Sequence, residues 1–308
     1  MNLIEVMERF PDQESCISYL ERLRWRGTPH CPHCGSLGVQ RRKECETGRI
    51  GRYNCHDCNA TFKVTCGTVF HGTKIDLQKW FLAIVLIGNA KKSLSSHQLA
   101  RDLDLNQKTA WYMQTRIRAE MAKKGGALLH GIIEADEAYI GGKPRKPNKR
   151  EDFEPSPRGS GTSKDAIIGA VQRGGKVVAQ LATELTGRTI LEFIRSVVNL
   201  KDSELMTDES RLYSQIGREL KHSVINHQVQ FAEGDKHTNT IEGFWSLLKR
   251  AWYGSHHHYQ TGYTPLYVAE RCYVYNYRNL DSIWTKFVND SMKFPQRRST
   301  HEVKHDKE

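Results

Sequence analysis

The chain has 308 residues, enough for two or three domains and at least one sizeable core. Lys and Arg number 46 against 35 Asp and Glu, a formal charge of +11, which suits a polyanionic partner because spread cations displace phosphate counterions. The first ten residues show no charged start followed by an apolar run, and the most apolar stretch, residues 80–88, is far too short to cross a bilayer, so a soluble, cytoplasmic protein with no membrane partner is expected.

Residues 1–27 read as short helices. Pro11 breaks the first, and Asp12 or Ser15 starts a second that carries Ile17, Leu20 and Leu23. Residues 31–66 hold most of the eight cysteines, with Gly and polar turns between them. From Asp76 a helix is expected, because Leu77, Trp80, Phe81, Ile84 and Gly88 share one face. Two shorter helical patterns follow near 95–103 and 107–122, and Gly125-Gly126 marks a linker.

Past the linker the periodicity changes. Residues 128–140 read as a buried strand, and 143–164, rich in Pro, Gly, Ser and charge, as a mobile loop. Residues 166–171 and 177–183 are two strands joined through Arg173-Gly174-Gly175-Lys176, a hairpin signal. A helix over 189–199 turns Ile190, Ile194 and Val197 inward, and a short strand over 204–207 ends at Asp208. A helix near 211–220, a strand near 223–226, a long helix over 239–252 and another over 266–276 complete the pattern; residues from about 294 are polar and expected to be disordered. The domains expected are 1–72 (helices and zinc ribbon), 73–124 (helix-turn-helix), 127–290 (an α/β catalytic domain) and a tail, 291–308.

Cys31-Pro-His-Cys34 and Cys55-His-Asp-Cys58 are two CxxC pairs separated by twenty residues. Each pair makes a tight turn that aims two thiolates at one point, and two turns complete a tetrahedral sulfur shell for a structural Zn2+. Gly35 supplies the positive φ such a knuckle needs. His33, His56 and His71 are alternative ligands, but four cysteines suffice; Cys45 and Cys66 are read as ordinary thiols. Basic residues flank the module, among them Arg41, Arg42, Lys43, Arg49, Arg52 and Lys63.

Ser95-Ser96 can cap a helix that buries Leu99, Ala100 and Leu103, and Asp104-Leu105-Asn106 can turn into a second. That second helix sets Ala110, Met113, Ile117 and Met121 on one face and leaves Gln107, Lys108, Gln114 and Arg118 largely off it. Polar and cationic side chains near the start of such a helix suit base edges and phosphates in a major groove, so Gln107, Lys108 and Arg118 are candidate DNA contacts.

Two acidic stretches sit at the expected ends of apolar strands: Glu134-Ala-Asp136-Glu137 and Met206-Thr-Asp208-Glu209. The helix from Asn239 puts Ile241, Phe244, Leu248 and Trp252 on one face and Asn239, Glu242, Ser246 and Lys249 on the other. Asp136, Asp208 and Glu242 together would bind two Mg2+ (or Mn2+), since hard divalent ions want carboxylate oxygens and two of them can serve an in-line phosphoryl displacement. Lys249 and the adjoining Arg250, two turns on from Glu242, can hold a DNA phosphate beside the site, as can Lys143 and Arg145 in the basic stretch 143–150. The run His256-His257-His258 reads as a loop, because three adjacent histidines do not converge on one ion. Arg271 and Arg278 fit DNA or nearby acids equally.

The stretches CPHCGS, NCHDCNATFKVTCGTVFHGTKIDLQKW, QLARDLDLNQKTAWYMQTRIR, EADEAYIGGKPR and HTNTIEGFWSLLKR resemble the bacterial insertion-sequence DDE transposases related to eukaryotic Merlin elements, from about Cys16 to Arg278. The resemblance implies a ribonuclease-H-like fold, a mixed sheet flanked by helices. It implies a catalytic set of Asp136, Asp208 and Glu242, with Asn239 one turn away as a ligand or supporting partner and Lys249 following. It further implies recognition of terminal inverted repeats, Mg2+-dependent strand cleavage, transfer of 3′-hydroxyls into target double-stranded DNA, and a homo-oligomer, at least a dimer, on paired ends. Two other readings compete: a DNA-binding regulator that retains an inactive nuclease fold, and a ribonuclease-H-like nuclease that cuts without joining.

Overall fold

Asn2 and Asp12 start the first two helices, α1 (Leu3–Arg9) and α2 (Gln13–Trp25), by accepting the N–H of Glu5 at 2.9 Å and of Ser15 at 2.8 Å. The computed structural model describes residues 1–42, 50–123, 128–142, 164–225, 237–279 and 282–293. Cys45, Gly125-Gly126, Lys143, Arg145 and the tail from 294 lie outside them. The chain forms two compact units: Met1–Ala90 with Leu94–Met121 and the chain from Asn279, and Ala122–Arg278 with Lys91–Ser93.

In the first unit β1 (Val39–Arg41), β2 (Arg52–Cys55) and β3 (Thr61–Lys63) make an antiparallel three-stranded sheet in that order. Its core is aromatic: Tyr53 stacks on Phe62 with ring centroids 5.7 Å apart, and Trp25 from α2 meets Tyr53 edge-on at 4.9 Å. Next come α3 (Leu77–Asn89), α4 (Ser96–Asp102) and α5 (Gln107–Met121). The stripe Leu77, Trp80, Phe81, Ile84 and Gly88 is buried as its spacing predicts.

The second unit is built on β4 (Leu129–Ile140). It pairs antiparallel with β5 (Asp165–Gln172), which pairs antiparallel with β6 (Val177–Ala182). After α6 (Gly187–Val197), β7 (Val198–Asp208) runs parallel to β4, and β8 (Lys221–Ile225) runs parallel to β7. The order is β6-β5-β4-β7-β8, a mixed sheet. Alternation along β4 divides its two faces. Ile133 and Ala135 pack with Ile190, Phe193 and Ile194 of α6. Ala138 and Ile140 pack with Ile241, Phe244, Trp245 and Leu248 of α7 (Asn239–Arg250), and α8 (Thr264–Asn276) adds Val268. Helices therefore cover both faces.

Four expectations change. The helix near 211–220 is two 3-10 turns, Arg211–Tyr213 and Ile216–Arg218; Tyr213, Ile216 and Leu220 keep a helical spacing, but Gly217 interrupts a segment too short to propagate. β7 has eleven residues rather than four, its first half hidden by the polar run Asn199 to Ser203. The long helix ends at Arg250 and continues as a π turn, Ala251–His256, so His256 is not in a loop. Finally α9 (Ile283–Lys293), a helix not expected from the sequence and lying across the expected boundary at 290, packs on α3 in the first unit: Trp284 Nε1 donates to Phe81 O at 3.2 Å, and Ile283 lies over Gly88. No described helix is long and apolar enough to cross a membrane.

Candidate functional site

The four cysteines meet. Cys31 Sγ lies 3.6 Å from Cys58 Sγ and Cys34 Sγ 3.6 Å from Cys55 Sγ, and all four sulfurs fall within 4.8 Å of one another, the only such ligand set among the described residues. A Zn–S distance of about 2.3 Å requires sulfurs about 3.8 Å apart, so the donors fit a tetrahedral Zn2+. Gly35 has φ +78° and its N–H donates to Cys31 O at 2.9 Å, closing the knuckle as the sequence implies. The backbone N–H of Cys58, with that of Asp57, draws the Cys55 thiol down to about 7. Cys34, although the Ser36 N–H lowers it, is pushed up to about 12 by burial and its three neighbouring thiols. Four crowded thiols cannot all ionise without a cation. His71 is occupied elsewhere, its Nδ1 accepting from Gly67 N at 3.0 Å, and His33 Nε2 faces Cys66 Sγ at 3.9 Å.

Ser95 caps α4 by accepting from Gln98 N at 3.1 Å, and Asn106 starts α5 by accepting from Thr109 N at 2.8 Å. Gln107 and Lys108 are exposed at the start of α5. Arg118 is not: it is 1% exposed, with Gln114, also buried, 3.5 Å from its Nη2. The expected DNA contact at Arg118 is therefore corrected. α5 packs along more of its circumference than the apolar stripe indicated, and the flank at Gln114 and Arg118 is enclosed with it.

The acids stand on adjoining strands. Glu134 pairs with Met206 in the parallel register of β4 and β7; two residues further on each strand come Asp136 and Asp208, on the same face of the sheet. Asp208 ends β7, but Asp136 lies inside β4, which continues to Ile140 as the partner of β5. Burial pushes Asp136 up to about 6, and the charges of Asp208 and then Glu242 add to it, against the Glu137 N–H and the Trp245 indole. Asp136 thus senses both of the other carboxylates, although the three do not form a ligand set as tight as that of the four thiols. An all-oxygen set of mutually repelling carboxylates suits a hard divalent cation. Glu137 is pushed up to about 8 by burial and by Asp136 and Asp208, and its buried Oε1 has no hydrogen-bond partner among the described residues.

α7 exposes Asn239, Glu242, Lys249 and Arg250, as its amphipathic pattern predicts. Thr238 Oγ1 lies 3.3 Å from Glu242 Oε1. Trp245 lies over the sheet, its Nε1 donating to Asp136 Oδ2 at 3.1 Å. That approach needs Gly169, which pairs with Asp136 across β4 and β5: a Cβ there would stand 2.6 Å from Trp245 Cη2. Glu134, fully buried, accepts from Arg173 Nε (2.6 Å), Thr240 N (2.8 Å), Thr240 Oγ1 (2.9 Å) and Ile241 N (3.0 Å). With both oxygens engaged it has no lone pair to spare for a metal. Glu134, Arg173, Gly169 and Trp245 were visible as residue types, but nothing in local spacing links them.

A transposase zinc-ribbon domain model matches residues 11–61, and an ISXO2-like transposase domain model matches residues 128–276, a span that holds Asp136, Asp208, Asn239 and Glu242. An uncharacterized protein in transposable element ISH50 of Halobacterium salinarum is 29% identical over 266 residues, covering 81% of this chain and 86% of that protein. Among solved structures, the Mos1 strand transfer complex aligns with 73% of this chain and 81% of its own at 13% identity and a TM-score of 0.23. The Mos1 mariner paired-end complex with Mn aligns with 73% and 82% at 13% identity and a TM-score of 0.22. Overlaps this loose define no shared fold. The fold and site define a zinc-ribbon protein with a mixed α/β second unit. The two domain matches and the mobile-element relative support an insertion-sequence transposase with a structural zinc site.

Proposed function

We propose that the protein is a DDE-type transposase of the Merlin-related bacterial group, acting in the cytoplasm on the terminal inverted repeats of its element and catalysing divalent-cation-dependent strand cleavage and strand transfer. The observation that carries this reading is the placement of Asp136 beside Asp208 on parallel strands, with Glu242 close enough for its charge to raise Asp136. The strand order also supports a ribonuclease-H-like second unit.

Asp136, Asp208 and Glu242 would hold two Mg2+ or Mn2+ ions, with Asn239 as a further oxygen donor. Bound there, the ions supply Lewis acidity at the attacking and leaving oxygens of a phosphodiester. The chain's own residues do the rest. Trp245 holds the Asp136 carboxylate through its Oδ2. Lys249 and Arg250 offer cations to the DNA backbone along the exposed side of α7, while Gln107 and Lys108 present polar and cationic groups for end recognition by the α4–α5 pair. Two ends must meet for joining, which calls for a homo-oligomer.

The test uses the purified chain, a labelled duplex carrying the element's end, and Mg2+. Wild type should nick the end and join it to a target plasmid; Asp136→Asn should bind the duplex equally and do neither. End binding without cleavage by wild type would favour a regulator, and cleavage without joining a nuclease. Comparing Glu242→Gln with Asn239→Ala assigns the third ligand: loss of cleavage only in the second, with folding intact, moves the role to Asn239.

A further inference from the structure

α7 begins in an unusual way. Its N-cap residue, Thr238, makes no capping hydrogen bond from its side chain. The orphan N–H groups of Thr240 and Ile241 instead donate to Glu134, a carboxylate on β4 more than a hundred residues earlier. A buried carboxylate at a helix N-terminus is favoured by both hydrogen bonds and the helix dipole. Arg173, from the β5–β6 turn, completes the tie. Its Nε donates to Glu134 Oε1 at 2.6 Å, its Nη2 to His237 O at 2.6 Å, and its backbone N–H to Ile132 O at 3.0 Å. His237 Nδ1 stands 3.3 Å from Glu134 Oε1, within ion-pair distance but misaligned for a hydrogen bond.

The tie falls between the residues that matter. Glu134 is two positions from Asp136 on the same strand face, and Thr240 and Ile241 lie between Asn239 and Glu242. We propose that Glu134, with Arg173, is a positioning pair that fixes the first turn of α7 against β4 and so sets where Asn239 and Glu242 stand relative to Asp136. A helix that rotates by one residue turns its side chains through about 100°, so a loose first turn would carry Glu242 away from the other acids. This role rests on the proposed catalytic reading.

The experiment compares full-length wild type, Glu134→Gln, Arg173→Met, the double variant and Arg173→Lys. Four quantities are measured: far-ultraviolet circular dichroism, end-duplex binding, Mn2+ binding followed by the paramagnetic resonance signal of free Mn2+, and the Mg2+ concentration for half-maximal cleavage. The single variants should keep their fold and bind ends as wild type. Their Mn2+ affinity should fall roughly 10–100-fold, with a matching rise in the Mg2+ requirement, as for other groups that orient metal ligands. The double variant, which removes the tie from both sides, should lose at least as much Mn2+ affinity as either single variant. If Glu134→Gln fails to fold, Arg173→Lys is the reporter, because one ammonium keeps the charge but cannot bridge Glu134 and His237 O together. Folded variants whose Mn2+ affinity and Mg2+ requirement stay within about twofold of wild type overturn the proposal, since a group that orients ligands moves both by more. So does a slower rate with unchanged metal dependence. Asp136→Asn separates the two levels: if wild type has no Mn2+ site that this variant removes, the catalytic reading itself fails.

Discussion

Gly169→Ala is the sharpest probe of how the site is packed. In a strand, Ala is ordinarily better than Gly by about 0.5–1 kcal/mol, because it loses less conformational freedom on folding. At position 169 the new Cβ would meet Trp245 Cη2 at 2.6 Å and Cζ2 at 2.8 Å, and Ile241 Cδ1 at 3.4 Å. Overpacking a close-packed contact costs about 1–3 kcal/mol, so the clash outweighs the gain. The net should be a loss of about 1–2 kcal/mol, a fall in melting temperature of roughly 3–6 °C for a unit of this size. The decisive control is Trp245→Phe, which deletes the two clashing ring atoms. In that background Gly169→Ala should become neutral or stabilising by up to about 1 kcal/mol, reversing its sign. Scanning calorimetry of the full chain, read at the transition that Trp245→Phe also shifts, measures both effects. A Gly169→Ala cost of the same size in both backgrounds would refute the claim that Trp245 requires this glycine.

Other outcomes are expected from the same geometry. Asp136 is held near 6, above its ordinary 3.8, so its protonated form stabilises the fold below about pH 4 and that contribution is lost as pH rises through 6. In metal-free buffer, Asp136→Asn should therefore raise stability at pH 7.5 by on the order of 2 kcal/mol and show little gain at pH 4; an equal gain at both pH values contradicts the sign. Glu270, 1% exposed, accepts from Ser93 Oγ at 2.5 Å and from Arg271 Nη2 at 2.7 Å. Glu270→Ala should cost about 3–5 kcal/mol in urea unfolding because it strips a buried guanidinium of its carboxylate. Replacing Cys55 and Cys58 with Ser should abolish stoichiometric zinc by metal analysis and unfold the ribbon, and acidification should release zinc from wild type as protons compete for the thiolates. Arg118→Met should lower stability without changing the salt dependence of DNA binding, whereas Lys108→Ala should reduce the salt slope by about 1.

The sequence by itself determined whatever depends on short separations. The CxxC pairs, the Ser95 and Asn106 caps, the alternation along β4 and the two faces of α7 are each set within a few residues, because backbone geometry repeats every two or 3.6 positions. The candidate acids were legible for the same reason, as charged residues set into apolar strands and one amphipathic helix. Tertiary structure decided what depends on the neighbour across the sheet or beneath the helix. Glu134 and Asp136 look alike in sequence, yet one is consumed by the N–H groups of α7 and by Arg173, while the other meets the Trp245 indole and the charges of Asp208 and Glu242. Arg118 looked like a surface cation until two flanks of α5 were covered, and α9 found its place only through Trp284 and Phe81, two hundred residues apart in the chain. Burial and pairing are properties of surfaces brought together by folding, and a linear pattern carries the faces of each element but not the identity of the face each will meet.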